Sequence, residues 1–122
     1  MFLHQHPYKP YVFPDATKLI VGTLPPPRFT QGDLKLDDVD FCYGSRNGLL
    51  WPILNEVFDL NLVFENTAEA IDQRKRFLHE RKIGVCDIVE SAERDKIYAS
   101  ELLMQNVKLR DLISRLNQFE NL

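Results

Sequence analysis

The sequence predicts an α/β protein with a three-layer α/β/α arrangement around a parallel sheet. Two short apolar runs, residues 18–23 and 83–89, are typical of strands that are covered on both faces. Segments with helical periodicity follow each of these runs. The resulting order of strand, loop, helix, helix, strand, loop and helix favours parallel strands joined by right-handed crossovers.

The N-terminal segment, residues 1–17, is predicted to be an extended arm, because prolines at close spacing prevent a helix. His4 and His6 in this arm could form a metal pair. No third or fourth ligand lies close to them in the sequence. An arm packed by its aromatic and apolar side chains is therefore favoured over a metal site.

The first strand leads into a stiff loop, since the run from Leu19 to Pro27 reads LIVGTLPPP. In open α/β sheets, ligands bind just beyond the carboxyl ends of the strands. Residues 23–27 are therefore predicted to form one wall of a site. Residues 28–40 carry a cluster of aspartates and are predicted to be a solvated loop. The next segment, residues 41–51 (FCYGSRNGLLW), is predicted to form the opposite wall.

Two helices are predicted in the middle of the chain. The first runs from Gly48 onward with Asn47 as its N-cap. Its buried face is expected to hold the apolar residues at helical spacing, namely Leu49, Leu50, Ile53, Leu54, Val57 and Phe58. The second is predicted over residues 67–81, with Asn66 and Glu69 at its start. Basic side chains crowd its polar side, where a solvated face is favoured over a phosphate-binding surface.

The second apolar run is predicted as one strand over residues 83–89, interrupted by a single carboxylate, Asp87. Residues 91–100 are predicted to be a polar loop and residues 107–117 a helix. Only two strands are evident, whereas a doubly covered sheet normally has more. The sheet is therefore expected to be incomplete at the C-terminus. The chain is then a fragment or truncated gene product, or a partner supplies the missing strand.

Length, composition and charge narrow the classes of function. The 122 residues suit a single domain, and no apolar run reaches the ~18 residues of a membrane span. There is no signal-peptide pattern and there are two cysteines, so a reducing, cytoplasmic location without an iron–sulfur cluster is predicted. The net charge of -3 counts against non-specific electrostatic binding of nucleic acid, which would require a local patch. No motif for a nucleotide cofactor or zinc is present, so no cofactor and no metal are predicted.

Four short motifs occur in order over residues 18–107. They are Gly22-Thr23-Leu24-Pro25, the segment from Tyr43 to Trp51 that contains Arg46-Asn47, Gly84-Val85-Cys86-Asp87-Ile88, and Ser91-Ala92-Glu93-Arg94. In this order and spacing they resemble the uracil-DNA glycosylase superfamily, and within it the hypoxanthine and mismatch-type branch. The resemblance covers most of this chain, 1–122, but only the larger, N-terminal part of the family's domain.

The resemblance implies a metal-free enzyme of DNA base-excision repair. Such a glycosylase flips uracil or a deaminated purine out of DNA and hydrolyses its N-glycosidic bond. By resemblance, Asn47 is catalytic and orients the attacking water. Tyr43, with Phe41 behind it, is expected to stack on the base, and Asp87 is expected to read its edge. The residues expected to contact DNA phosphates are Gly22, Thr23, Pro25, Ser45 and Arg46.

Other interpretations of these residues stay open. Asn47 is also explained as a helix cap alone, Tyr43 as ordinary core and Asp87 as a structural carboxylate. Arg46 is also explained as the partner of the acidic loop. The family's last loop, which brings a His or Ser into the site, would lie beyond Leu122, so activity is a separate question from lineage.

Two alternative functions follow from these observations. One is a non-catalytic glycosylase-like module or remnant, which needs another chain or a second copy at its open sheet edge. The other is an unrelated α/β protein that binds a small molecule. A pocket that holds a nucleotide or sugar phosphate rather than DNA would favour the latter.

Overall fold

The computed structural model describes residues 2–94 and 104–122. Over these residues the fold is mixed α/β, with a three-stranded antiparallel sheet and a separate parallel pair. The strands are β1 (Phe2–Gln5), β2 (Lys18–Ile20), β3 (Ile83–Val85), β4 (Val89–Arg94) and β5 (Met104–Leu109). The helices are α1 (Pro27–Gln31), α2 (Leu50–Phe58), α3 (Ala68–Arg81) and α4 (Leu112–Leu116). None of these helices combines the length and the apolar character that a membrane span requires.

The two apolar runs pair in parallel, as predicted, but their regular ladder is short. β2 and β3 pair along their full lengths. Beyond the ladder, the N–H of Cys86 donates to the carbonyl of Ile20 over 3.0 Å. The N–H of Ile88 then donates to the carbonyl of Gly22 over 2.9 Å. The prediction of one strand over residues 83–89 is thus wrong in its second half, although the two segments stay side by side.

The antiparallel sheet has the order β1–β4–β5 and corrects three predictions. The N-terminal arm begins as a strand, because β1 pairs with β4 along its whole length. The predicted loop over residues 91–100 begins inside β4, and residues 95–100 lie outside the described part of the chain. The predicted helix over residues 107–117 is the end of β5 followed by the short α4. Pairing between strands that are distant in sequence outweighs the local pattern here.

Helix α2 buries a different face from the predicted one. It begins at Leu50 with Leu49 at its N-cap, so the prediction that Asn47 caps this helix is wrong. The buried residue of α2 is Trp51, whose indole N–H donates to the carbonyl of Cys42 over 2.8 Å. Three of its predicted core residues are instead more than half exposed, namely Leu49 (71%), Ile53 (55%) and Val57 (68%).

The other two helices differ from prediction only locally. α3 occupies the predicted range, but its N-cap is Thr67, whose hydroxyl accepts from a backbone N–H one turn on, and not Asn66. α1 lies in the segment predicted as loop. Proline at its first turn favours its start, and Gly32, with φ of 77°, ends it in the left-handed conformation that glycine adopts most easily.

The main hydrophobic core holds the second predicted wall in place. Its buried members come from the loop before α2, from α2 and α3, and from β3, namely Val39, Phe41, Cys42, Trp51, Ala70, Phe77, Leu78 and Val85. The Trp51 ring packs edge-on against Phe77, with 6.0 Å between ring centroids. Close-packed aromatic contacts of this kind anchor the start of α2 and the loop that leads into it.

Candidate functional site

The two predicted walls line one cavity of about 380 Å³. One wall is residues 22–26, after β2, and the other is residues 42–45 and 47–50, which lead into α2. The remaining lining residues come from the N-terminal arm and from the turn after β3, namely His6, Tyr8 and Asp87. The volume falls within the ~300–1,000 Å³ range of ligand pockets. The cavity is therefore the strongest candidate for a functional site in the described part of the chain.

Asp87 is held at both carboxylate oxygens by ring side chains. The Tyr43 hydroxyl donates to Oδ1 over 2.7 Å. Nε2 of His6 lies 2.7 Å from Oδ2. Asp87 is only 7% exposed, so these two contacts replace much of the water that a carboxylate would otherwise bind. Three segments that are far apart in the sequence thus meet at one negative charge.

The hydrogen bonds of His6 define its tautomer. The backbone N–H of Tyr8 donates to Nδ1 over 3.1 Å, so this nitrogen carries a lone pair. Nε2 then carries the ring proton and donates it to Asp87. His6 therefore enters the cavity as a neutral donor, and the turn at Tyr8 fixes which ring nitrogen faces Asp87.

Gly22 makes room for the hydrogen bond between Tyr43 and Asp87. A Cβ atom at this position would lie 2.3 Å from the Tyr43 hydroxyl oxygen and 3.0 Å from Oδ1 of Asp87. The first distance leaves no space for a carbon atom and the second is unusually tight, so a side chain here would displace the Tyr43 hydroxyl from Asp87. The first wall therefore needs glycine at the point where it approaches the acidic residue.

The second wall presents the Tyr43 ring from an uncommon backbone conformation. Tyr43 has a φ of 58°, in the left-handed region that few non-glycine residues adopt. Contacts on both sides fix it there: its hydroxyl donates to Asp87, and the adjacent Gly44 accepts from the N–H of Val39 over 2.8 Å. Burial, and then the hydrogen bond to Asp87, raise the pKa of Tyr43, so its hydroxyl stays protonated as a donor.

Asn47 lines the cavity at its exposed side. Its backbone N–H donates to Oγ of Ser45 over 3.3 Å. Its carboxamide makes no hydrogen bond to the described residues, and the cap position of α2 belongs to Leu49. The amide is therefore available to bind a water or a ligand, since it donates and accepts at once.

A partly buried ion pair braces the second wall from behind. The guanidinium of Arg28 donates to both oxygens of Asp38, over 2.8 and 2.7 Å, and to Oγ of Ser45 over 3.0 Å. The backbone N–H groups of Lys35 and Arg46 each donate to Asp38 over 2.8 Å. Burial alone would raise the pKa of Asp38, but the Arg28 bond and the two backbone donors outweigh it and lower the pKa to about 2. The carboxylate is thus charged at neutral pH and ties the loop to α1.

Two predicted site residues lie outside the cavity lining. Phe41 is 5% exposed and packs edge-on against Tyr11 in the core, with 5.4 Å between ring centroids. The Arg46 guanidinium lies 3.4 Å from the carboxylate of Asp37, so the alternative interpretation, that Arg46 pairs with the acidic loop, is the observed one. The other predicted residues meet around the cavity, namely Gly22, Thr23, Pro25, Tyr43, Ser45, Asn47 and Asp87.

The sequence pattern does not single out His6 or Tyr8 as site residues. His6 and Asp87 are 81 positions apart, so nothing local signals their contact. A partial signal lies in the extended arm, where His4 and His6 share a face by strand alternation. His4 is fully buried, and that burial carries His6 inward on the same side.

The cavity also contains a thiol, but an unreactive one. Burial, and then the nearby charge of Asp87, raise the pKa of Cys42 to about 12, so the thiol stays protonated and is a poor nucleophile. Within residues 2–94 and 104–122, no group of three or more His, Cys, Asp or Glu side chains is arranged to hold a metal ion.

Comparison with known proteins finds no matching family model, no matching curated protein and no matching solved structure.

Proposed function

We propose that the chain is a DNA glycosylase domain, which hydrolyses the N-glycosidic bond of uracil or a deaminated purine in base-excision repair. The observation that carries this proposal is the single cavity between the proline-rich loop and the Tyr43 loop, with Asp87 and Asn47 both in its lining. The cavity has the size of a ligand pocket and an aromatic wall, as reception of a flipped base requires.

Each residue has a chemical part in the proposed reaction. Tyr43 stacks on the extruded base, because an aromatic face binds any base by stacking. Asp87, fixed by two donors, accepts a hydrogen bond from the base edge. The free amide of Asn47 orients a water toward C1′ of the sugar. That water adds to C1′ as the bond to the base breaks.

The loop backbone supports binding of the DNA strand. Residues 22–25, Ser45 and the start of α2 border the cavity, and these segments would contact the phosphates that flank the flipped nucleotide. The partly positive N-terminal end of α2 favours such an anion. The net charge of -3 gives little general attraction for DNA, so binding would depend on these local contacts.

A cleavage assay with one matched pair of variants tests this proposal. A duplex and a single strand, each carrying uracil or hypoxanthine, are incubated with the protein and then treated with hot alkali. Asn47→Ala should abolish cleavage without changing the melting temperature, since its side chain holds no structural bond. Asn66→Ala, at another exposed asparagine outside the cavity, should cleave like the wild type. Intact strands with both bases at high protein concentration would refute the proposal.

A second candidate is a non-catalytic glycosylase-like module that acts with another chain. Exposed large apolar side chains favour it, since Val21 just after β2 is 51%, Leu109 at the end of β5 68% and Ile113 in α4 79% exposed. A partner strand added to the parallel pair would extend it toward the larger parallel sheet of the three-layer arrangement that the sequence predicts. Solution mass tests this candidate, because a monomer with a cooperative melt would exclude a second copy as the required partner.

A further inference from the structure

The cavity carries a net negative charge. Among the lining residues, all of which lie in the described part of the chain, Asp87 has an ionisable carboxylate and no lysine or arginine is present. His6 does not offset this charge, because its bonds to Tyr8 and Asp87 define the neutral tautomer. A ligand in the cavity therefore meets one buried negative charge and neutral polar groups.

The arginines near the walls are neutralised by partners of their own. The guanidinium of Arg28 is bound at two positions by Asp38. Arg110, which donates to the carbonyl of Tyr8, is paired with Glu90 over 2.9 Å. The partial positive charge of the α2 N-terminus lies beside Leu49, which is 71% exposed, whereas Asp87 is 7% exposed. The positive end thus lies on the exposed side of the cavity lining, where a phosphate would lie, and the negative charge lies on the buried side.

This polarity opposes a base that departs as an anion. When the glycosidic bond of uracil breaks, the bonding electron pair leaves with the base as negative charge. That charge would develop beside the Asp87 carboxylate in a poorly hydrated place, where like charges repel more strongly than in water. A base with a positively charged ring is instead attracted by the Asp87 carboxylate. Its C1′–N9 bond breaks with the electron pair neutralising the ring, and the base leaves uncharged.

We infer that the bases this site releases best are purines with a positively charged ring, of which an N7-alkylated purine in DNA is the chemical type. This inference rests on the proposed glycosylase reaction and adds a substrate class to the uracil and deaminated purines named above. Asp87 attracts the charged ring, and the Tyr43 face adds a cation–π contact. Water adds to C1′, its proton passes to the solvent at the mouth, and the neutral base remains in the cavity until it dissociates.

Matched oligonucleotides test the inference. Strands of one sequence carry N7-methylguanine or uracil at the same position, with enzyme-free reactions to subtract spontaneous loss of the alkylated base. The wild type should release N7-methylguanine at least about ten-fold faster than uracil. Asp87→Asn, which keeps the shape and removes the charge, should slow release of N7-methylguanine by about ten-fold more than it slows release of uracil, so that the preference for the charged base is lost. Equal release of the two bases, or equal slowing of both by the variant, would overturn the inference.

A binding measurement separates failure of this inference from failure of the proposed function. Calorimetry compares N7-methylguanosine with guanosine, which differ by one methyl group and one charge. The wild type should bind the cationic nucleoside about ten-fold more tightly, and Asp87→Asn should lose that preference. If no oligonucleotide is cleaved but the preference is observed, the glycosylase proposal fails and the charge selectivity stands. If the wild type binds both nucleosides equally, the inference fails even where DNA is cleaved.

Discussion

At the residue scale, one carboxylate organises the candidate site. The side chain of Asp87 has little contact with water, so its two hydrogen-bond donors stabilise the carboxylate more than they would at the surface. Each donor is itself constrained: His6 by the N–H of Tyr8, and Tyr43 by its left-handed turn. Fixed donors of this kind cost little further ordering when a ligand binds.

The space beside Gly22 leads to the first prediction. Gly22→Ala should separate the Tyr43 hydroxyl from Asp87, because the added Cβ overlaps the hydroxyl position. The pKa of Tyr43 should then fall back toward its ordinary value, since the hydrogen bond that helps to raise it is lost. Ultraviolet absorbance of tyrosinate during an alkaline titration measures this change. Val21→Ala, at the exposed neighbouring position, is the control, and a titration of Gly22→Ala identical to that control would contradict the prediction.

A second residue-scale prediction concerns the brace behind the second wall. The pKa of Asp38 is lowered to about 2 from 3.8, so its contribution to stability is complete above pH 3.8 and disappears as the pH falls through 2. Asp38→Asn should lower the free energy of unfolding by about 2 kcal/mol at pH 7. The difference between variant and wild type should shrink as the pH approaches 2. Denaturant titrations at several pH values measure it, and a difference that stays constant would exclude this linkage.

Several site residues could be predicted from the sequence because local features mark them. Proline and glycine after an apolar run indicate a stiff loop at a strand end, and both loops do line one cavity. The pattern predicts Phe41 and Arg46 beside Tyr43 and Asn47, because neighbours in a loop share one stretch of sequence. Whether each side chain faces the core, the cavity or the solvent depends on tertiary packing, which the pattern does not contain.

At the element scale, α2 shows how a periodic pattern fixes a helix but not the face it buries. The helix forms where the apolar spacing predicts it. Trp51, however, is buried among aromatic rings from α3 and the preceding loop and thereby turns the stripe of Leu49, Ile53 and Val57 outward. One large aromatic side chain buries more area than an aliphatic one, so it decides the orientation.

A pair of substitutions tests this orientation. Ile53→Glu should change the free energy of unfolding by less than about 0.5 kcal/mol, because the side chain is 55% exposed. Trp51→Ala should cost about 3–5 kcal/mol, because it leaves a cavity in the core. Thermal and denaturant unfolding compare the two variants. A large loss of stability in Ile53→Glu would indicate that the aliphatic face of α2 is buried in the core, as the sequence predicts.

The contact between α3 and α2 gives another prediction. Arg74 of α3 is fully buried between the rings of Trp51 and Phe64, and its Nε and Nη2 have no hydrogen-bond partner among the described residues. Burial lowers the pKa of Arg74 to about 10, so holding the positive charge there destabilises the fold at neutral pH. The free energy of unfolding of Arg74→Met should therefore equal that of the wild type or exceed it by up to about 1 kcal/mol.

The control for Arg74→Met is Arg74→Ala, which leaves a void instead of filling it. This variant should lose about 2–4 kcal/mol in the same unfolding measurement. If the Met variant lost as much as the Ala variant, the two carbonyl bonds of Nη1, to Val63 and Ala70, would outweigh the cost of the buried charge.

Elements defined by local signals could be predicted, whereas those defined by distant pairing could not. The β2–β3 pair and α3 follow from apolar runs and helical periodicity. β4 and β5 carry polar sequences, and they are strands because each pairs with a neighbouring strand, as at Glu93 opposite Gln105. A polar strand with one exposed face resembles a loop in a single sequence.

At the scale of the whole molecule, the N-terminal strand joins the two sheets at the cavity. β1 pairs with β4 in the antiparallel sheet, and the chain continues directly to His6, which contacts Asp87 after the parallel pair. Further along, the arm bonds to β3 itself through Tyr11 and Val85. Formation of the site should therefore depend on the docking of β1, although β1 does not line the cavity.

His4 makes this dependence measurable through pH. Burial, and then the charge of Arg94, lower the pKa of His4 from 6.5 to about 4, and Nε of Arg94 donates to its Nδ1 over 2.8 Å. The unfolded chain thus binds this proton more readily, so the neutral His4 contributes stability that is complete above pH 6.5 and lost as the pH falls through 4. The free energy of unfolding should drop by about 2–3 kcal/mol between about pH 7 and pH 4.5.

His4→Gln keeps a hydrogen-bond acceptor for Arg94 but does not titrate, so its stability should be flat over the same pH window. Because β1 carries His6 into the cavity, binding of N7-methylguanosine by the wild type should weaken in parallel with stability near the midpoint of unfolding. Amide hydrogen exchange at β1 should accelerate over the same interval, ahead of exchange in α3. Equal pH dependence in His4→Gln and in the wild type would show that another group governs the transition, and the proposed coupling between β1 and the cavity would then fail.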